Sequence, residues 1–302
     1  MTSPQLPAPS SQPSVPGPQP PATSIHDQGY RRYRGGRAPR GQAWLVIARN
    51  GIRTMLGKRQ FLALLLFAWL PFFVRAVQIY AAATFPQAAT VLKVSAETFR
   101  QFLGQQETFV FFITVYVGAG LIANDRRANA LQIYLSKPLT RSEYVFGKLA
   151  ILSAFLLLVT WVPAIVLLIV QIAFAGNFTF FMNNLFLFPA ITLFAGVQVV
   201  LGATTMLALS SLSNSSRYVG ILYAAVIFFT QAIYGVLYAV TRTSTFSWVS
   251  LSANLAQVGD VIFRLTPEYD TPWPVAFAVI VLVVVTSAVV LERRVRGVEV
   301  VA

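Results

Sequence analysis

Six long apolar stretches dominate the sequence and decide what the chain can fold into. They cover residues 61–80, 108–123, 149–174, 185–209, 218–240 and 273–291. A membrane hydrocarbon core of about 30 Å requires about 20 helical residues to cross it. A backbone in lipid must also satisfy its own hydrogen bonds, which leaves only helices and closed barrels. Because the stretches are continuously apolar rather than alternating, the sequence predicts an all-α polytopic membrane protein with six transmembrane helices.

The basic residues are unevenly divided between the two sides of the predicted membrane. If the amino terminus is inside, eighteen of the 23 Lys and Arg residues lie in inner segments and four lie in outer segments. This distribution follows the positive-inside rule. It predicts a multi-pass protein of the plasma (inner) membrane with both termini in the cytoplasm. The net charge of +13 is explained by anionic lipid headgroups, so the lipid bilayer is an expected partner and nucleic acid is not.

The composition excludes several kinds of site. The chain has no cysteine, and its only histidine is His26. Disulfides and thiolate metal ligands are therefore excluded, and no metal site is expected. His26 falls within residues 1–40, where a Pro- and Ser-rich stretch and a basic cluster predict a disordered tail. Residues 41–302 are left for one transmembrane domain.

The charges within the predicted spans separate three classes of function. No Asp or Glu falls within the six spans, and Arg75 is the one charged residue there. Proton- and sodium-coupled carriers use buried carboxylates to bind the driving ion, so a secondary transporter or channel-like protein is an alternative that this absence disfavours. A membrane-embedded enzyme is disfavoured further, because the spans lack the His, Cys or paired carboxylates of such catalysts. The chain is predicted not to be an enzyme.

An amphipathic segment precedes the first span. Between residues 44 and 57, Trp44 lies on the apolar face of a helical wheel, and Arg49 and Arg53 lie on the opposite face. This pattern is typical of a helix that lies in the membrane interface with its arginines at the headgroups. Two interpretations remain open: a membrane anchor, or an elbow helix that couples the first span to a cytoplasmic partner.

The predicted inner loop over residues 124–148 has more structure than a simple connection needs. Residues 125–135 have one apolar side and predict a short helix. Pro138 ends this helix, because proline disfavours helix in the residue before it. Thr140 and Glu143 then have the spacing of a capping box that starts the third span. Together these features predict a rigid elbow that protrudes into the cytoplasm.

This loop resembles the corresponding segment of ABC transporter permeases of the second type, most of which are exporters. In that family an acidic residue ends the second span, and a stretch of small residues and leucine follows. A Ser-x-Pro-x-Ser/Thr-Arg turn comes next, and a Gly-Lys pair opens the third span. The matching residues here are Asp125, Leu131, Ser136, Pro138, Thr140, Arg141, Gly147 and Lys148.

The resemblance implies a non-catalytic permease subunit of an ATP-driven transporter. Two such subunits, identical or different, are expected to form a homo- or heterodimer and to bind cytoplasmic ABC ATPase subunits. The inner loop is expected to be the coupling helix that contacts the ATPase. Its implied coupling residues are Asp125, Arg126, Arg127, Asn129, Leu131, Ser136, Pro138, Thr140, Arg141 and Lys148.

The sequence agrees with a separate ATPase. A phosphate-binding loop has the pattern Gly-x-x-x-x-Gly-Lys-Ser/Thr. Neither Gly57-Lys58 nor Gly147-Lys148 has the upstream glycine and the following hydroxyl residue. No cofactor is therefore expected on this chain, and ATP is expected on the partner subunit.

Polar residues within the fourth and fifth spans have two interpretations. Gln198, Gln231 and Tyr234 lie among otherwise apolar residues. They either hold helices together through hydrogen bonds or line a transport pathway at the interface between two permease subunits.

The predicted outer loop over residues 241–272 is too long for a plain connection. Leu251, Leu255, Val258 and Ile262 fall on one helical face, and Asp260 falls off it. This periodicity predicts an amphipathic helix that rests on the outer surface or dips into the membrane.

Overall fold

The computed structural model of the protein describes residues 42–85, 87, 92, 94–130, 140–174, 182 and 184–295. Among these residues the regular structure is helical throughout. The helices long and apolar enough to span a membrane are α2 (Arg59–Thr84), α3 (Ala96–Arg127), α4 (Arg141–Phe174), α5 (Leu187–Leu212), α6 (Ser216–Thr241) and α8 (Trp273–Arg294). Two shorter helices accompany them, α1 (Ala43–Leu56) and α7 (Leu251–Ile262). The predicted all-α fold with six transmembrane helices is confirmed.

Some sequence predictions fall on parts of the chain that the structure does not describe. The predicted disordered tail over residues 1–40 lies outside the described residues, and so do Leu131, Ser136 and Pro138. The predictions for these residues stay predictions.

Successive spans run in opposite directions. The end of one span therefore lies at the same side of the bundle as the start of the next. One end, called the α1 end, contains α1, the end of α3 and the start of α4. The opposite end, called the α7 end, contains α7 and the start of α3. The α1 end is the one that the charge distribution predicts to be cytoplasmic.

The first span is interrupted where a proline enters it. Helical structure runs over Arg59–Ala68 and resumes at Leu70–Thr84, with Trp69 between the two stretches. Pro71 lies in the first turn of the second stretch, where its missing N–H is tolerated. The side-chain amide of Gln106 donates to the carbonyl of Ala68 at 3.2 Å. A backbone carbonyl beside the interruption thus finds its partner on the second span.

The second span is interrupted at Gln106, between the stretches Ala96–Gln105 and Glu107–Ile113. Here the side-chain amide of Gln198, on α5, donates to the carbonyl of Leu103 at 3.2 Å. Polar side chains of neighbouring spans therefore satisfy backbone groups at both interruptions, as a chain in lipid requires.

A stretch of π-helix, Thr114–Gly118, lies in the middle of α3. Directly after it, the Ser210 hydroxyl of α5 accepts hydrogen bonds from the N–H groups of Ile122 and Ala123, at 3.2 and 3.0 Å. The same hydroxyl donates to the carbonyl of Ala119 at 2.9 Å. One serine thus joins α5 to the backbone of α3 in the half of the bundle near α1.

Helix α1 packs closely along the start of α4. A Cβ atom on Gly147 would lie 2.9 Å from the Ile47 Cβ and 3.1 Å from the carbonyl oxygen of Trp44. A Cβ atom on Gly51 would lie 2.2 Å from a methyl group of Ile151. At Gly147 a side chain would press on the backbone of α1, and at Gly51 it would require the Ile151 side chain to move, so glycine at both positions favours this close contact.

The protein-facing side of α1 is rotated from the predicted apolar face. Ile47 and Gly51 lie against α4, although neither was assigned to that face. Trp44 is 39% exposed, and Arg49 and Arg53 are also exposed. The predicted helix is confirmed, and its apolar residues are divided between a packed side and an open side.

The predicted amphipathic helix of the outer loop is α7. Leu251, Leu255 and Val258 are buried in it, as the periodicity indicates. Asp260, expected off the apolar face, is also buried. Its carboxylate lies 3.0 Å from the guanidinium of Arg100 on α3, and this ion pair offsets the cost of burying the charge. Burial raises the pKa of the Asp260 carboxyl, and the charge of Arg100 partly opposes that shift.

The helix that contains the second apolar stretch is longer than that stretch and carries charged residues before it. Helix α3 begins at Ala96 rather than near residue 108, so it contains Glu97, Arg100 and Glu107. Its start is marked by a capping box between Ser95 and Thr98. The sequence hides this start because the first turns of α3 mix polar and apolar residues.

The contact between α1 and α4 yields a stability prediction. Replacing Gly147 by alanine places a Cβ against Ile47 and the Trp44 carbonyl, so we expect a loss of about 1–3 kcal/mol in unfolding free energy. Gly235, on α6, has nothing within 4 Å of the position that a Cβ atom would take. Gly235→Ala is the control and should be neutral or stabilising by up to about 1 kcal/mol. Thermal unfolding in detergent measures both, and equal melting temperatures would contradict the packing role of Gly147.

Candidate functional site

The end of α3 and the start of α4 form one connected site at the α1 end. The Asp125 carboxylate lies 2.7 Å from the ammonium of Lys148. The hydroxyl of Tyr144 donates to the same carboxylate at 2.8 Å. Both charged side chains are mostly buried, with 12% of Lys148 and 20% of Asp125 exposed. The acidic residue and the Gly-Lys pair of the sequence motif therefore meet, and they hold two spans together.

Arg126 ties the same turn to a third helix. Its guanidinium donates to the carbonyl of Ser211, near the end of α5. Ser211 is fully buried, and its own hydroxyl donates to the carbonyl of Ala208 at 2.6 Å. The last turn of α3 is thus fixed to α4 through Asp125 and to α5 through Arg126.

The separate helix predicted over residues 125–135 is wrong at its start. Asp125, Arg126 and Arg127 are the last residues of α3, because their contacts with α4 and α5 continue the second span. The chain turns after them, and Asn129 has a φ of 51°. This left-handed conformation suits asparagine better than most residues. The predicted coupling helix stays a prediction, because residues 131–139 lie outside the described residues.

The predicted coupling residues divide into two groups. Asp125, Arg126 and Lys148 face the protein interior and bind its own residues. Arg127 and Asn129 are exposed at the tip of α3. Thr140 and Arg141, at the start of α4, are exposed as well, and the contact of these residues with the ATPase stays a prediction.

The predicted capping box at the start of α4 is confirmed. The N–H of Thr140 donates to the Glu143 carboxylate at 2.9 Å, and the N–H of Glu143 donates to the Thr140 hydroxyl at 3.3 Å. Arg141 follows as the first exposed residue of the helix. This cap fixes the direction in which the chain enters α4 from the loop.

A cavity of about 1110 Å³ lies beside this site, between α1, α3, α4 and α6. Its wall is mostly apolar, and Lys58 and Arg217 add positive charge to it. The ammonium of Lys58 lies 5.8 Å from the centre of the Tyr116 ring. The Asp125–Lys148 pair also lines the cavity. Sequence reasoning missed it, because its wall combines four separate segments of the chain and no motif marks them.

The three residues predicted to line a pathway lie in different surroundings. Gln198 is buried and binds α3, as described above. Gln231 accepts a hydrogen bond from the Ser250 hydroxyl at the start of α7. Tyr234 packs on the ring of Tyr269, with 5.9 Å between ring centres. Each therefore joins helices within this subunit, and the predicted lining of a pathway stays a prediction.

The aromatic contact at α7 includes a tyrosine that stays neutral over the physiological range. Desolvation of Tyr269, with the negative charge of Glu268 beside it, raises the pKa of its hydroxyl to about 12. The neutral ring packs on Tyr234, which links the loop before α8 to α6.

Residues 45–293 match a family described as ABC-2 family transporter protein. The matched segment runs from α1 to the last turn of α8 and so includes all six spans. The chain belongs to the ABC-2 transporter family. Comparison with curated proteins found no significant match.

Membership of the ABC-2 family identifies the chain as a membrane permease component of an ABC transporter. In the sequence, the absence of intramembrane carboxylates disfavoured a secondary transporter. Helix α3 carries Glu107 directly before the predicted second span over residues 108–123. The family match, rather than a missing carboxylate, is what separates this ABC-2 permease from a secondary carrier.

The ion pair at the heart of the site yields a second prediction. Asp125→Asn leaves the Lys148 charge without its partner, and we expect a loss of about 2–3 kcal/mol in unfolding free energy. This is less than the roughly 3–5 kcal/mol for a fully buried pair, because both side chains keep some exposure. The double variant Asp125→Asn with Lys148→Gln should recover part of the loss. A double-mutant cycle of melting temperatures measures this coupling, and purely additive losses would show that the pair does not act as a unit.

Proposed function

We propose that this ABC-2 permease is the non-catalytic membrane subunit of an ATP-driven exporter. In this proposal a separate cytoplasmic ABC ATPase binds the α1 end and supplies the energy. The observation that carries the proposal is the tip of α3, where an exposed surface lies directly on a turn that is fixed to two other spans. A force applied at Arg127 and Asn129 would reach α4 through the Asp125–Lys148 pair.

The same turn would pass a displacement to a second helix. The bond from Arg126 to Ser211 connects it to α5, and Ser210 connects α5 back to the middle of α3. Small shifts at a packed contact move whole helices, because close-packed interfaces do not deform continuously. Movement of the α3 tip would therefore rearrange α3, α4 and α5 together.

Helix α1 supports the proposed orientation of the subunit. Arg49 and Arg53 are exposed on it, where they can contact the anionic headgroups of the cytoplasmic leaflet. Its close contact with α4 places it beside the predicted coupling site. Anchor and coupling roles for α1 are compatible, and both agree with termini in the cytoplasm of a plasma membrane protein.

A second permease subunit, identical or different, would complete the transporter. Helix α6 offers it an apolar surface, because most residues of its apolar stretch are not buried within this subunit. The same is true of α2 and α8. Ile221, Phe228 and Phe229 are among its large exposed side chains. The cavity bounded by α1, α3, α4 and α6 opens beside this surface and is where a substrate would enter the pathway.

ATP would be bound by the partner and not by this chain. The sequence contains no complete phosphate-binding loop. In this proposal the ATPase closes when it binds ATP, and this subunit converts that closure into a movement of its spans.

Site-specific photocross-linking tests the proposed ATPase contact. A photoreactive residue at Arg127 or Asn129 should capture the ATPase subunit in membranes, since both positions are exposed at the tip of α3. Arg242 is the control, because it is also exposed but lies at the α7 end. Mass spectrometry of the adducts identifies the captured chain. Capture from Arg217 with none from Arg127 or Asn129 would move the ATPase contact to the start of α6 and contradict this assignment.

A further inference from the structure

Glu107 places a carboxylate in the interior of a membrane-spanning helix. It begins the second stretch of α3, directly after the interruption at Gln106. The ion pairs in the described part of the chain are Arg100 with Asp260 and Asp125 with Lys148. Arg100, the cation nearest in sequence, is paired with Asp260, although its charge also acts on Glu107, and no ion pair among these residues includes Glu107.

Glu107 lines a small cavity at the centre of four helices. The cavity has a volume of about 90 Å³ and lies between α3, α5, α6 and α7. Its polar lining consists of side chains that carry oxygen: Glu107, Gln198, Thr205, Tyr223 and Ser252. This volume holds an ion with a few water molecules at most.

Two of the lining oxygens are buried without a hydrogen-bond partner among the described residues. The carbonyl oxygen of the Gln198 side chain is one, because the bond to Leu103 uses the amide nitrogen. The hydroxyl of Thr205 is the other. Both residues are more than nine-tenths buried, with 3% and 7% exposed. Unpartnered buried oxygens are costly, so their grouping beside a carboxylate points to a ligand.

Several helical threonines of this protein donate to their own helix, and Thr205 does not; the buried hydroxyl of Thr114 on α3 likewise has no partner among the described residues. Thr204 donates to the carbonyl of Val200 at 2.7 Å, and Thr230 donates to the carbonyl of Val226 at 2.8 Å. Thr160 makes the same bond four residues back along its helix. Thr205 makes no such bond within the described chain, and its oxygen is therefore free to bind a ligand in the cavity.

We propose that Glu107, Gln198 and Thr205 form a binding site for a monovalent metal cation, Na⁺ or K⁺. Hard cations prefer oxygen ligands, and oxygen is what these side chains supply. One carboxylate with neutral oxygens neutralises a single positive charge, whereas a divalent ion would leave an uncompensated charge in the membrane. The described residues contain no cluster of three His, Cys, Asp or Glu side chains, which argues against a transition-metal site.

The site would link cation binding to the packing of the α7 end. Ser252 brings α7 to the cavity and Tyr223 brings α6. An ion held by Glu107 on α3 and by Gln198 and Thr205 on α5 therefore lies where four helices meet. Its binding would stabilise the arrangement in which α7 closes over the spans. This inference does not depend on the proposed export function.

Thermal unfolding of the purified full-length protein tests the site. Melting temperatures are measured at pH 8 in NaCl, KCl or choline chloride at equal ionic strength. The wild type should be stabilised by Na⁺ or K⁺ with a saturable dependence, and choline, which is too large for the cavity, should have no such effect. Glu107→Gln should abolish the cation response. Glu97→Gln is the matched control, since Glu97 lies on the same helix but is exposed, and it should respond as the wild type does.

A second variant keeps the test decisive if Glu107→Gln does not fold. Thr205→Val keeps the shape of the side chain and removes the free oxygen, so half-saturation should require about tenfold more cation. Equal melting temperatures in all three salts would overturn the proposal, because Glu107 would then be satisfied by its own proton or by water. A cation response that is unchanged in Thr205→Val and in Glu107→Gln would also overturn it, since the ion would bind elsewhere.

Discussion

Backbone groups within a bilayer must find hydrogen-bond partners inside the protein, because no water reaches them. The first and second spans of this ABC-2 permease are interrupted. Polar side chains of neighbouring spans donate hydrogen bonds to backbone carbonyls beside the interruptions. Gln106 donates to Ala68, and Gln198 donates to Leu103. Ser210 does the same for the backbone of α3 after its π-helical stretch. These bonds tie α3 to α2 and α5 to α3 at the interruptions.

Charged side chains lock the two ends of the bundle in the same way. Asp125 and Lys148 join α3 to α4 at the α1 end, and Arg100 and Asp260 join α3 to α7 at the other end. Removing one partner of such a pair leaves a charge that is largely shielded from water. Helix α3 is therefore tied to its neighbours at both ends and along its length.

Local patterns were predicted from the sequence more accurately than contacts between helices. The capping box of Thr140 and Glu143 and the amphipathic helix α7 follow from short-range spacing, and both are confirmed. The helix that contains the second apolar stretch begins at Ala96, twelve residues before the stretch, where contacts with helices such as α7 bury Arg100 among the mixed first turns. The helix predicted from Asp125 was wrong for a related reason, since bonds to α4 and α5 extend the span through that residue.

By itself the sequence determined that the chain crosses the membrane six times, because apolar length alone decides whether a helix can span a bilayer. It also placed the acidic residue and the Gly-Lys pair at the ends of neighbouring spans. Only the tertiary structure decided that Asp125 and Lys148 bind each other, whereas Arg127, Asn129, Thr140 and Arg141 are exposed. It alone grouped Glu107 with Gln198 and Thr205, since residues far apart in the chain share a cavity only after the helices have packed.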